Sequence, residues 1–117
     1  MKMKLPGNVQ VLWPVDLDKR ARFELPFKGW LSVCVEMEDG HRYPLYFIDP
    51  ARLQQELEQS VSFGKPYFAE PGLVILPEVT VEAIEEAVQT LQKQGFFAAL
   101  RADSFQEDKV VMEPQPA

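Results

Sequence analysis

GWLSVCVEMEDGHRYPLYFI, residues 29–48, decides the fold. Two runs in which apolar and polar side chains alternate, 29–38 and 42–48, flank Glu38-Asp39-Gly40, and a period of two is that of a strand covered on one face. Their register follows from the turn. A two-residue Asp-Gly turn opposes Val35 to Pro44, Val33 to Tyr46 and polar Ser32 to Phe47, which mixes the faces. A three-residue turn with Gly40 in the left-handed position opposes Val35 to Tyr43, Val33 to Leu45 and Leu31 to Phe47, and brings Glu36 against Arg42. The second register yields one continuous apolar face and a cross-strand charge pair, and is preferred.

Downstream, Ile48-Asp49-Pro50 opens a helix: Asp49 suits the N-cap, Pro50 the first helical position, and Ile48 with Leu53 a hydrophobic staple. It runs to about residue 60, with Leu53, Leu57 and Val61 as its buried stripe. Residues 73–76 are apolar at every position, which reads as a central strand covered on both faces. Thr80 caps a second helix, with Ile84, Val88 and Leu91 inward, Glu82, Glu85 and Glu86 near its positive end and Gly95 just past its C-terminus. Residues 96–100 read as a last strand, closing a strand-helix-strand unit over 73–100.

Upstream, 9–13 and 21–27 alternate and read as strands, with Pro14, Asp16 and Asp18 supplying turn chemistry between them. The expected fold is α+β: a single domain over 1–102 built on a mixed, mostly antiparallel sheet of five or six strands, with two helices, at least one packed on a sheet face. Residues 103–117 are expected to be a loosely held tail with at most one edge strand at Val110-Val111-Met112.

A chain of 117 residues with 46% hydrophobic and 26% charged side chains supports one core without a metal or disulfide staple. The single cysteine excludes an internal disulfide, and no Cys/His spacing fits a metal, so no cofactor is expected. No apolar run has the length of a membrane span or the flanks of a secretory signal, and the chain is read as cytoplasmic. With 18 acidic against 12 basic residues the field opposes phosphate backbones. Arg20 and Arg22 are read as the wet face of a strand, so neither nucleic acid nor membrane is expected as a partner.

Motifs for chemistry are absent: no glycine-rich phosphate loop, no His-Glu-x-x-His, no nucleophile elbow. Cys34 and His41 are a nucleophile and a base, but the preferred register puts them on different faces. Asp16-x-Asp18 has the spacing for a divalent cation but no third local ligand, and capping explains it equally. Glu70 and Glu78 stand at opposite ends of the 73–76 strand, roughly 17 Å apart for a strand of about five residues.

What the core alone does not use is an aromatic strip on the second hairpin face, Trp30, Tyr46 and Ile48 beside Ser32, Cys34 and Pro44, with Tyr67 and Phe68 in a proline-flanked loop. Tryptophan and tyrosine beside small residues suit a partner surface; the competing reading is that a helix or the segment 63–68 covers the strip. The expected function is a protein-interaction module without catalytic activity that binds itself, as a homodimer, or another protein through this strip. Two alternatives stand beside it: a small enzyme or ligand-binding domain whose pocket uses Asp16, Asp18 or Glu78, and an acidic regulator that masks a basic surface with Glu82, Glu85 and Glu86.

Overall fold

A computed structural model describes residues 9–100. Within them the order is β1 (Gln10–Leu12), α1 (Lys19–Lys28), β2 (Trp30–Glu36), β3 (Arg42–Ile48), α2 (Pro50–Ser62), β4 (Leu73–Ile75) and α3 (Val81–Lys93). A fourth helical segment, α4, occupies 96–100, where the described residues end. The fold is α+β. Its four strands form one mixed sheet in the order β1-β2-β3-β4, antiparallel except between β3 and β4. The tail and its Val110–Met112 segment lie outside the described residues.

The central hairpin has the register argued from its alternation. Val35 opposes Tyr43, Val33 opposes Leu45, Leu31 opposes Phe47, and Glu36 opposes Arg42. Met37 N–H donates to the His41 carbonyl at 2.8 Å, which leaves three residues in the loop, and Gly40 has φ +92° as a left-handed turn position demands. Asp49 and Thr80 cap α2 and α3 by accepting from the Arg52 and Ala83 amides at 2.7 and 3.0 Å.

Odd-numbered residues of β2 and β3 face the core, where Val33, Val35, Leu45 and Phe47 meet Val81, Ile84 and Val88 of α3, Leu25 of α1 and Phe97 of α4. Even-numbered residues face the other side, beneath α2. Ile48, fully buried, is outside the main core and belongs to this second layer.

Several expectations are corrected. Residues 21–27 lie in α1, so β1 pairs directly with β2 across a helical connection. The alternation there misled because a helix with a single buried side chain, Leu25, imposes almost no 3.6-residue pattern, and Phe23 and Phe27, one turn apart, are both exposed. The apolar run 96–100 is helical, with the Ala99 amide donating to the Gly95 carbonyl at 3.0 Å. A run that short has no periodicity to separate strand from buried helix. With both segments helical, the described residues hold four helical segments, not two, and a sheet of four strands, not five or six.

β4 is an edge strand and not a central one: Val74 and Leu76 turn to the core, while Ile75 is 51% exposed. The parallel unit is accordingly β3-α2-β4 and not 73–100. Finally, α2 has no buried residue. Leu57 and Val61 are exposed, because the helix rests on the sheet through its half-buried Arg52, Leu53, Glu56 and Ser60 positions.

Candidate functional site

On the face under α2 the cross-strand pairs Trp30–Ile48 and Ser32–Tyr46 set the two large rings on neighbouring strands. Trp30 and Tyr46 stack, with centroids 5.6 Å apart and planes inclined by 28°. Phe68, carried by the loop between α2 and β4, extends the row with its ring centre 6.2 Å from that of Tyr46. At the other end Lys28 Nζ sits 4.1 Å from the centre of the Trp30 ring, a cation–π contact that keeps the ammonium beside solvent. The row therefore reads Lys28, Trp30, Tyr46, Phe68 across one sheet face.

Its rings are half-buried, and Ser32 and Pro44 beside it are exposed. Burial first, then the nearby Glu56 and Glu70 carboxylates, push the Tyr46 phenol above its ordinary pKa, against an opposing effect of Arg52. The hydroxyl is therefore a neutral donor at physiological pH. Glu56 is itself held by Arg52 at 2.8 Å.

The backbone that holds Tyr46 is closed on its other side by Gly72. The Tyr46 amide donates to the Gly72 carbonyl at 2.9 Å, and Gly72 has φ +72°. A Cβ there would lie 2.1 Å from the Pro44 carbonyl oxygen, so only glycine lets the loop approach β3 this closely.

Of the five residues singled out in sequence, the structure joins Trp30, Tyr46 and Phe68 in one row. Ile48, the cross-strand partner of Trp30 on the same face, is fully buried and offers no surface to a partner. Tyr67, 57% exposed, lines a neighbouring cleft of about 410 Å³ together with Phe63, Ser60 and Glu56 of the α2 side and Phe68 itself. Lys28 is the member sequence reading missed; it fell between the two expected strands, 21–27 and 29–38, which hid that it ends a helix and that a left-handed Gly29 turns the chain between it and Trp30.

The alternative residues are placed elsewhere. The Asp18 carboxylate caps α1 by accepting from the Ala21 amide at 2.8 Å. Asp16, Asp18 and Glu78 line none of the three clefts described, the largest of which, about 560 Å³, lies between the hairpin turn and Gly95, Phe97 and Ala98. Cys34 sits mid-strand opposite Pro44, and His41 Nδ1 is 3.1 Å from the Asp39 carboxylate. On α1, Arg20 pairs with Glu24 at 3.1 Å and Arg22 with Glu82 at 2.9 Å, so each of these two guanidinium groups has a carboxylate partner. The Glu82 carboxyl is held below its ordinary pKa, first by the backbone amide at the start of α3 and then by Arg22. No helix among the described residues is long and apolar enough to cross a membrane. Compared with protein-family models, with curated proteins and with solved structures, the chain matches none.

Proposed function

We propose that this chain is a non-catalytic interaction module that binds a second copy of itself or another protein through the Trp30–Tyr46–Phe68 row, with Tyr67 at its margin. One observation carries the reading: three aromatic rings pack in a row on a sheet face, Trp30 stacked on Tyr46 and Phe68 tilted against it, and are only half-buried, with Ser32 and Pro44 exposed beside them. Rings held rigid by mutual packing lose little conformational entropy on binding, and their flat apolar faces with a phenol hydroxyl at the rim match the composition of interface centres. Lys28 and the Glu56/Glu70 carboxylates stand at opposite ends of the row, which favours a partner whose charges run the other way.

The test is Trp30→Arg, which removes the ring at the Lys28 end of the row and puts a second cation beside Lys28. With circular dichroism unchanged, the variant is expected to lose self-association, measured by sedimentation velocity, or the binding of a protein partner. A folded variant that assembles and binds as the native chain does would refute the assignment.

A further inference from the structure

Away from the aromatic row, β4 presents a second feature. The Tyr46 amide donates to the Gly72 carbonyl and the Leu76 amide to the Ile48 carbonyl, both at 2.9 Å, and these two bonds bracket the β3–β4 ladder. In a parallel ladder the bonding residues alternate along each strand, so 72, 74 and 76 turn their backbone to β3. Leu73 and Ile75 therefore turn their N–H and C=O groups outward, and among the described residues no strand pairs with them.

Beside this edge, on the core side, an apolar groove of about 350 Å³ runs between β4 and α3. Val74 and Leu76 form one wall, and Ala83, Ala87 and Leu91 the other. The two alanines leave the space that larger side chains would fill. Glu86 stands at the groove, exposed, with no ion-pair partner among the described residues. Edge strands in folded proteins are commonly blunted by shortness, lysine, proline or a bulge; Leu73-Val74-Ile75 is short, at three residues, but carries none of the other three.

We infer that the β4 edge and the β4–α3 groove together bind an extended segment of a partner protein as a fifth strand, one that carries apolar side chains at alternate positions and a lysine or arginine near one end. The unpaired groups of Leu73 and Ile75 dictate the extended form, and the strand period sends every second side chain into the groove. Glu86, on a chain of net charge −6, selects the basic end and disfavours a second acidic copy.

The probe is the blocked peptide acetyl-Lys-Val-Thr-Val-Thr-Val-Lys-amide, titrated into the full-length ¹⁵N-labelled protein. In the free protein the Leu73 and Ile75 amides are expected to exchange rapidly with solvent; with peptide they become protected, and the Val74, Ala87 and Leu91 signals shift. Two N-methylated versions read the mechanism. Within an added strand all valine amides point one way and all threonine amides the other, so methylating one set should weaken binding at least about tenfold while methylating the other leaves it unchanged. Ala87→Leu, which fills the groove with a strong helix former, should abolish peptide binding and leave the fold intact. Three results would each overturn the inference: amides of Leu73 and Ile75 already protected in the free protein, equal loss from both methylation patterns, and binding undiminished by Ala87→Leu.

Discussion

Gly72→Ala isolates the close approach that seats the loop after α2 against β3. An alanine at φ +72° costs about 1 kcal/mol for the left-handed backbone alone. Its Cβ would also meet the Pro44 carbonyl oxygen at 2.1 Å and the Leu45 Cα at 3.1 Å, both backbone atoms in the middle of a paired strand. Neither can rotate away, so β3 and the loop must separate, and the Tyr46–Gly72 hydrogen bond stretches or breaks. A further loss of about 1–3 kcal/mol follows, for a total of about 2–4 kcal/mol out of the roughly 5–15 kcal/mol typical of a domain. Gly40→Ala is the control, since φ there is +92° but nothing lies within 4 Å of the added carbon. It should lose only the backbone contribution of about 1 kcal/mol. Urea denaturation of both variants, followed by Trp fluorescence, measures the difference as a shift in midpoint at constant slope. Equal midpoints for the two variants would refute the claim that contact with β3, beyond backbone conformation, fixes glycine at 72.

Three further outcomes are expected. The Tyr43 hydroxyl is buried with no hydrogen-bond partner among the described residues, so Tyr43→Phe should leave stability unchanged or raise it by up to about 1 kcal/mol; a clear loss in a thermal melt would mean the hydroxyl is bonded. The Tyr46 phenol, identified as the alkaline absorbance change that Tyr46→Phe removes, should ionise above the ordinary phenol range, because burial and two carboxylates disfavour the phenolate. Glu82 has a lowered folded pKa, so its stabilising contribution is complete above the unfolded-state value and disappears as pH falls through the folded one. Glu82→Gln should therefore lower stability by a few tenths of a kcal/mol, small for a pair this exposed, throughout the neutral-to-alkaline range, and its stability curve should converge on that of the native chain as pH falls through that acidic window.

How far the fold was legible depended on whether an element's sequence pattern matched the face it buries. The hairpin over β2 and β3 was legible residue by residue, because its core side is continuous and a one-residue slip would have put Ser32 opposite Phe47. α3 was equally legible, since Ile84 and Val88 are both fully buried and Thr80 caps it. α1 was not: with Leu25 alone buried, its polar and apolar residues alternate by accident, and the informative signals were the Asp18 cap and the four-residue spacing of Arg20 and Glu24. α2 shows the opposite mismatch, a helical stripe of Leu53, Leu57 and Val61 that the fold leaves largely in water. For β4 the uniform apolar character was read correctly as a strand, but placement is a property of the whole sheet, and an edge strand with Ile75 half-exposed has the same local sequence as a central one.

The candidate surface was legible in part for the same reason. Strand parity put Trp30 and Tyr46 on one face, and the register made them diagonal neighbours. That Phe68 returns from a loop to extend their row depends on Gly72 and on the parallel docking of β4, neither of which leaves a local pattern. Nor does burial of Ile48 beneath α2, since its alternation is identical to that of Tyr46.

The role of the Trp30–Tyr46–Phe68 row is tested most directly by quantitative affinity capture from lysate, comparing the native chain with Trp30→Arg at low and at high salt. Contact through stacked rings is nearly insensitive to screening, whereas contact through acidic helix residues is not. The expected result is a protein, or a second copy of this chain, retained by the native chain at both salt concentrations and lost by the variant at both. Capture that survives Trp30→Arg, or that salt alone removes, would contradict the aromatic row as the binding surface.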